Sequence, residues 1–123
     1  MNLFLDYKKK IFNYLKNLEK KNLIQIPSQL NLTIELPPMN QNADISCNAA
    51  MILAKINNNS PVKLAEILKK HLLLNFTEFK SIEIARPGFL NICFHISFWK
   101  EYLTKVIKLD SKYVSIRNIK KKI

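Results

Sequence analysis

One predicted hairpin constrains the fold of this chain more than any other feature. The sequence IEIARPGFLNICFHI, residues 82 to 96, places two strand-like runs on either side of Pro87-Gly88, and Gly88 is the only glycine present. Glycine adopts the positive φ angles that tight turns require, so Pro-Gly between two apolar runs predicts a β-hairpin. The chain is therefore expected to contain an antiparallel pair of strands.

The second strand of this hairpin has two different faces, because side chains alternate along a strand. The face predicted to be buried carries Leu90, Ile92, Phe94 and Ile96. The opposite face carries Phe89, Asn91, Cys93 and His95. An aromatic ring can stack on a nucleotide base, and an amide beside it can hydrogen-bond the edge of that base. Two interpretations remain: Phe89 and Asn91 read a base, or Phe89 covers the sheet edge and Asn91 is solvated.

Apolar spacing and capping residues predict two helices in the first half of the chain. The first covers residues 2 to 20 and is expected to dock on its own sheet; its lysines leave a basic RNA-facing or membrane-surface helix as the alternative. Ser46 is the predicted N-cap of the second helix, which runs to about Ile56. Asp44 is expected to lie close to the positive end of that helix.

Two more helices and one more strand complete the predicted fold. The order Ser60-Pro61 starts the third helix, and Ser97 is the predicted N-cap of the fourth. A half-buried strand over residues 32 to 36 is expected to end at Pro37-Pro38, because proline has no N–H for the sheet ladder. The element order predicts an α+β fold: a small, mainly antiparallel β-sheet packed on one side by about four helices.

The charge of the chain favours polyanionic partners. The net charge is +11, with 18 lysines and two arginines, which attracts nucleic acid first and anionic membranes second. The chain is also rich in Asn and Ile, as AT-rich coding produces, so composition alone is the competing explanation for the lysines. No apolar run approaches the roughly 18 residues of a membrane span, and no secretory segment is present. With two cysteines that form no disulfide framework, a cytoplasmic setting without membrane contact is expected.

Residues for catalysis or metal binding are few. His71 is expected to be an exposed helix residue, and Cys93 with His95 provides at most two ligands where structural zinc uses four. Glu35 and Glu83 are expected to share a sheet face as solvated partners of lysine. A chain with one glycine has no Gly-rich phosphate loop. The sequence therefore assigns neither a catalytic residue nor a metal site.

Three stretches of the sequence form an ordered set. They are Leu36-Pro37-Pro38 followed by residues 44 to 50, Leu53-Ala54-Lys55 followed by Pro61 and residues 64 to 67, and residues 82 to 85 followed by residues 87 to 92. In this order and spacing they resemble the N-terminal domain of arginyl-tRNA synthetase, over about residues 30 to 100. The resemblance implies an N-terminal tRNA-binding domain at residues 1–109 and a basic linker toward a catalytic domain at residues 110–123.

The resemblance also implies a function. The parent enzyme would be a class I aminoacyl-tRNA synthetase, and this domain would contact the D-loop of arginine tRNA and orient that tRNA for aminoacylation. Carried over by position, Phe89 would stack on a flipped-out D-loop base, and Asn91 would hydrogen-bond that base or its neighbour. The family often has glycine where this chain has Arg86. Arg86 then either reaches a phosphate beside the turn or is a solvated arginine.

The resemblance places the chemistry outside this chain. The His-x-Gly-His and Lys-Met-Ser-Lys-Ser signatures of class I synthetases are absent from the sequence. ATP and arginine are therefore expected to bind the catalytic domain, and this chain by itself is expected to need no cofactor and to be no enzyme. The expected partners are arginine tRNA and the catalytic domain of the same protein. The alternative is a non-catalytic protein-interaction or structural domain that docks on a partner or on its own catalytic domain.

Overall fold

An antiparallel sheet and four helices make up the part of the chain, residues 2–39 and 42–108, that the computed structural model describes. The elements are α1 (Leu3–Lys20), β1 (Ile34–Glu35), β2 (Ile45–Cys47), α2 (Ala49–Leu53), α3 (Pro61–Asn75), β3 (Phe79–Ala85), β4 (Phe89–Phe94) and α4, residues 96–108. The strand order is β1-β2-β4-β3, and every neighbouring pair is antiparallel. The predicted α+β fold is confirmed. The basic linker expected at residues 110–123 lies outside the described residues.

The hairpin of β3 and β4 forms as predicted. Its turn is closed by the Gly88 N–H, which donates to the Ala85 carbonyl oxygen at 2.9 Å. Gly88 has a φ of 157°, and a Cβ atom at this position would lie 2.8 Å from the Cβ of Pro61. The turn therefore packs against the first residue of α3, and only glycine fits both the backbone conformation and the close approach.

The hydrophobic core lies on one face of the sheet, between the strands and the helices. The amphipathic stripe predicted for α1 is buried there, and so is the stripe of α3 that begins with Leu64 and Ala65. On β4 the core face carries Leu90, Ile92 and Phe94. The prediction that Ile96 is buried with them is wrong, since its side chain is 74% exposed. The strand ends at Phe94, so strand alternation no longer sets the direction of Ile96.

The helix predicted to begin at Ser46 is wrong over its first residues. Ile45–Cys47 forms β2, and α2 begins at Ala49. The physical reason is that β2 is paired on both sides, with β1 and with β4, so its backbone groups gain sheet partners. Asp44, expected close to the positive end of that helix, forms its side-chain hydrogen bonds elsewhere. Its Oδ2 accepts from the Phe94 N–H at 2.8 Å and from Trp99 Nε1 at 3.4 Å, which ties α4 to the end of β4.

Other element boundaries differ less. β1 comprises Ile34–Glu35 rather than residues 32 to 36. α4 begins at residue 96, so Ser97 lies inside the helix rather than at its N-cap. The start of α3 is as predicted, because the Ser60 Oγ accepts from the Lys63 N–H at 3.2 Å and Pro61 occupies the first turn. No helix in the described ranges is both long enough and apolar enough to cross a lipid bilayer.

Asn48 positions the edge strand β1. Its Oδ1 accepts from the Thr33 N–H at 2.8 Å, and its Nδ2 donates to the Asn31 carbonyl oxygen at 3.2 Å. These bonds hold the segment before β1 against the end of β2.

Aromatic rings join α1 and α4 to the sheet. The ring centroids of Phe94 and Phe98 are 4.1 Å apart and the rings are stacked, while Tyr7 lies edge-on to Phe94 at 5.0 Å. The Tyr7 hydroxyl donates to Glu78 Oε2 at 2.7 Å. Burial, and secondly this bond to a carboxylate, raise the pKa of the Tyr7 hydroxyl above its ordinary value. Tyr7 therefore keeps the proton that it donates at neutral pH.

Candidate nucleic-acid interface

A row of polar side chains crosses the sheet on the face opposite the core. Glu35 pairs with Ser46, Ser46 with Asn91, and Asn91 with Glu83, so the row includes all four strands. Residues directly opposite one another in a sheet point to the same face. The prediction that Glu35 and Glu83 share a sheet face is confirmed, and the structure adds the two neutral polar residues between them.

A pocket of about 380 Å³ lies on this open face. Its walls come from the segment after β1, from β2, and from the β3–β4 turn with the start of β4. It is lined by Glu35, Leu36, Pro37, Pro38, Ser46, Ala85, Arg86, Phe89 and Asn91. Phe89, Asn91 and Arg86, the three residues singled out from the sequence, are therefore brought together in one concave site.

The three residues differ in exposure. Phe89 is half-buried, Arg86 is exposed, and Asn91 is only 3% exposed. The interpretation in which Asn91 is solvated is therefore wrong, since the carboxamide lies within the sheet between Ser46 and Glu83. A buried amide on a central strand is held in one place, which is the requirement for reading a base edge.

The chemistry of the pocket combines stacking, hydrogen bonding and charge. The ring of Phe89 lies opposite the small side chain of Ala85, and both line the pocket. The Asn91 amide and the Ser46 hydroxyl are groups that donate and accept hydrogen bonds. Arg86 brings a permanent positive charge, which suits a phosphate. Such a set fits a flat heterocycle with polar edges attached to an anion, as in a nucleotide.

Sequence reasoning missed Ser46 and Glu35 as residues of this site. Capping preference predicts Ser46 as a helix N-cap, although the alternation Ile45-Ser46-Cys47 also fits a strand with one polar side chain on the open face. Glu35 was identified as a sheet residue, but its place at the pocket depends on the β1–β2 register. That register follows from tertiary packing rather than from local sequence.

None of the histidines or cysteines of the described ranges lines the pocket. His71 is half-buried rather than exposed, and its carbonyl oxygen accepts from the Tyr14 hydroxyl at 3.1 Å. Burial raises the pKa of the Cys47 thiol to about 12, and burial is also the main cause that raises the pKa of the half-buried Cys93. His95 is exposed. Within the described ranges, no three His, Cys, Asp or Glu side chains are grouped as a metal ion would need.

A family model and several curated relatives place this chain in one family. The sequence model of the family described as "Arginyl tRNA synthetase N terminal domain" matches residues 6–94. An arginine–tRNA ligase of Pelagibacter ubique is 37% identical over 99% of this chain and 21% of its own length. Arginine–tRNA ligases of Wolbachia pipientis wMel and Bartonella quintana are 34% and 36% identical over 92% of the chain. The chain spans about a fifth of the length of these curated relatives.

Proposed function

Since the chain belongs to the family of arginyl-tRNA synthetase N-terminal domains, we propose that it binds arginine tRNA through the open face of its sheet. The pocket then takes a base that is flipped out of the D-loop. Phe89 stacks on this base, and Asn91 hydrogen-bonds its edge. Arg86, exposed at the turn, contacts a neighbouring phosphate. Binding in this way positions the tRNA for aminoacylation in an arginine–tRNA ligase.

The observation that carries the proposal is the meeting of Phe89 and Asn91 in one pocket. The sheet holds both side chains in place, because they lie two residues apart on a strand that is paired on both sides. A preorganised ring and amide lose little conformational freedom when a base binds. Stacking supplies affinity for any base, while the amide supplies the selectivity.

Replacing Phe89 by alanine tests the proposal. Stacking of one base on an aromatic side chain contributes about 1–3 kcal/mol, so Phe89→Ala is expected to raise the Kd for arginine tRNA about fivefold to 150-fold. The Kd is measured by titrating the 123-residue chain with an arginine tRNA transcript. Retention of the wild-type Kd would contradict the proposed role of Phe89.

Phe12→Ala is the matched control. Phe12 is also a half-buried aromatic residue, but it lies on α1 and packs against the core. The same truncation there is expected to lower stability while leaving the Kd of the folded protein within about twofold. If Phe12→Ala weakens binding as much as Phe89→Ala, a general loss of structure explains both results and the pocket is not the site.

In such a ligase, the aminoacylation reaction belongs to the remainder of the protein, and that remainder is the second partner of this domain. ATP and arginine bind there, and this chain needs neither as a cofactor; protein synthesis then sets a cytoplasmic location. The remainder docks on α4, where three large apolar side chains are exposed: Ile96, Leu103 and Ile107. Large apolar residues grouped on one helix are typical of a surface that another domain covers.

A further inference from the structure

Beside the pocket, a groove runs along the free edge of the sheet at β1. Its volume is about 300 Å³, and it lies between the first turns of α1 and the edge strand β1. Phe4, Leu5 and Lys8 line it from the helix side. Glu35 lines both this groove and the pocket. The two depressions are therefore neighbours that share one residue.

We propose that this groove holds the nucleotide next to the base in the pocket, with Lys8 on the phosphate of that nucleotide. The inference rests on the proposed function, because it extends the RNA path from the pocket toward α1. Among the residues that the structure describes, Lys8 is the only cation that lines the groove. The half-buried ring of Phe4, one helical turn before Lys8, gives the groove an apolar wall for a ribose or a base.

Glu35 determines how the RNA crosses between the two depressions. Its carboxylate is exposed and only accepts hydrogen bonds, so it repels a phosphate placed directly above it. The part of the RNA over Glu35 must therefore present donors, which a ribose 2′-hydroxyl or a base amino group provides. The phosphate then lies beyond Glu35, on the side where Lys8 is located.

The chain contains its own controls for this assignment. Lys8, Lys9 and Lys10 follow one another on α1, and successive helix residues point in directions about 100° apart. Lys9 is exposed and does not line the groove. Lys10 lines a different cavity, between α1 and α4, and its ammonium lies 4.8 Å from the ring centroid of Tyr7. Neutralising Lys8 and neutralising Lys9 change the net charge equally. The comparison therefore tests the position of the lysine on α1 rather than the net charge.

The experiment compares Lys8→Gln with Lys9→Gln in titrations of the 123-residue chain with arginine tRNA at several salt concentrations. One lost phosphate contact lowers the steepness of log K against log salt by about 0.7–0.9, which is roughly a tenfold higher Kd near 50 mM salt. Lys8→Gln is expected to show both changes, and Lys9→Gln is expected to shift the Kd less than about twofold. Equal behaviour of the two variants would overturn the proposal.

Phe89→Ala, titrated alongside, separates this inference from the proposed function. In one outcome, Phe89→Ala weakens binding while Lys8→Gln and Lys9→Gln behave alike. That result would support the pocket as the base-binding site and reject the groove as the site of the next nucleotide. If Phe89→Ala binds like the wild type, or if the wild type shows no saturable binding at low salt, both proposals fail. Far-ultraviolet circular dichroism of each variant establishes that α1 is still folded.

Discussion

Gly88 has two roles that no other residue type fills together. Its backbone adopts a positive φ of 157°, and its missing Cβ leaves room for Pro61, whose own Cβ would otherwise lie 2.8 Å away. The first role shapes the turn that presents Phe89 at the start of β4. The second sets the distance between that turn and α3. The position of the pocket therefore depends on a residue that does not line it.

Gly88→Ala is expected to lower the free energy of unfolding by about 1–3 kcal/mol, because an alanine there is strained and meets Pro61. The midpoint of urea unfolding measures the change. Arg86→Ala, in the same turn but exposed, is the control and is expected to stay within about 0.5 kcal/mol of the wild type. An unchanged urea midpoint for Gly88→Ala would contradict this prediction. It would mean that the turn can move away from α3 at little cost in stability.

Local sequence predicts the direction of these side chains but not their burial. Strand alternation places Phe89 and Asn91 on one face, and the structure confirms this. The burial of Asn91 depends on Ser46, which reaches it from a strand far away in the sequence. A pattern read along one strand does not identify that partner, so the sequence leaves open whether the amide reads a base or is solvated.

At the level of elements, α3 supports the hairpin turn. The helix begins where Ser60 and Pro61 precede a buried stripe, and Pro61 is also the residue that Gly88 approaches. The Ser60 Oγ accepts from the Lys63 N–H at 3.2 Å and so satisfies one of the free donors of the first turn. Loss of this bond loosens the end of the helix on which the turn rests.

Ser60→Ala is expected to lower the free energy of unfolding by about 1 kcal/mol, the usual contribution of a serine N-cap. Ser60→Asp keeps an acceptor and adds a negative charge at the positive end of the helix, so its urea midpoint is expected to remain close to that of the wild type. A fall of the same size in both variants would mean that the cap bond is not the stabilising contact.

The elements that the sequence predicts well are those with strong local signals. The periodic stripe of α1, the Ser-Pro start of α3 and the Pro-Gly turn all appear where expected. β2 was missed because three residues are too few to show a period, and only its pairing with β1 and β4 makes it a strand. The pocket could not be predicted in full for the same reason, since β2 contributes one of its walls.

The charge of the whole molecule is expected to contribute to RNA binding beside the proposed pocket. Twenty lysines and arginines against nine acidic residues give the chain its net charge of +11. A cationic surface attracts any polyanion, and this part of binding weakens as the salt concentration rises, because releasing counterions from the polyanion then becomes less favourable. Stacking of a base on Phe89, as proposed for the pocket, would not depend on salt in this way. Affinity for arginine tRNA is therefore expected to be the sum of a general and a specific contribution.

Salt titrations of the wild type and Phe89→Ala separate these contributions. With two to three phosphate contacts, the wild-type affinity is expected to fall on the order of tenfold between about 50 and 200 mM salt. Phe89→Ala is expected to give a parallel line of log K against log salt, displaced downward, because it loses stacking and no ionic contact.

A DNA duplex of similar charge is the reference for the general contribution, and Phe89→Ala is expected to bind it as tightly as the wild type does. Lines that converge at high salt would mean that Phe89 acts through the ionic contacts. Equal loss of affinity for the duplex and for arginine tRNA would mean that the ring supports the surface as a whole. Either result would leave the positive charge, rather than the pocket, as the basis of RNA binding.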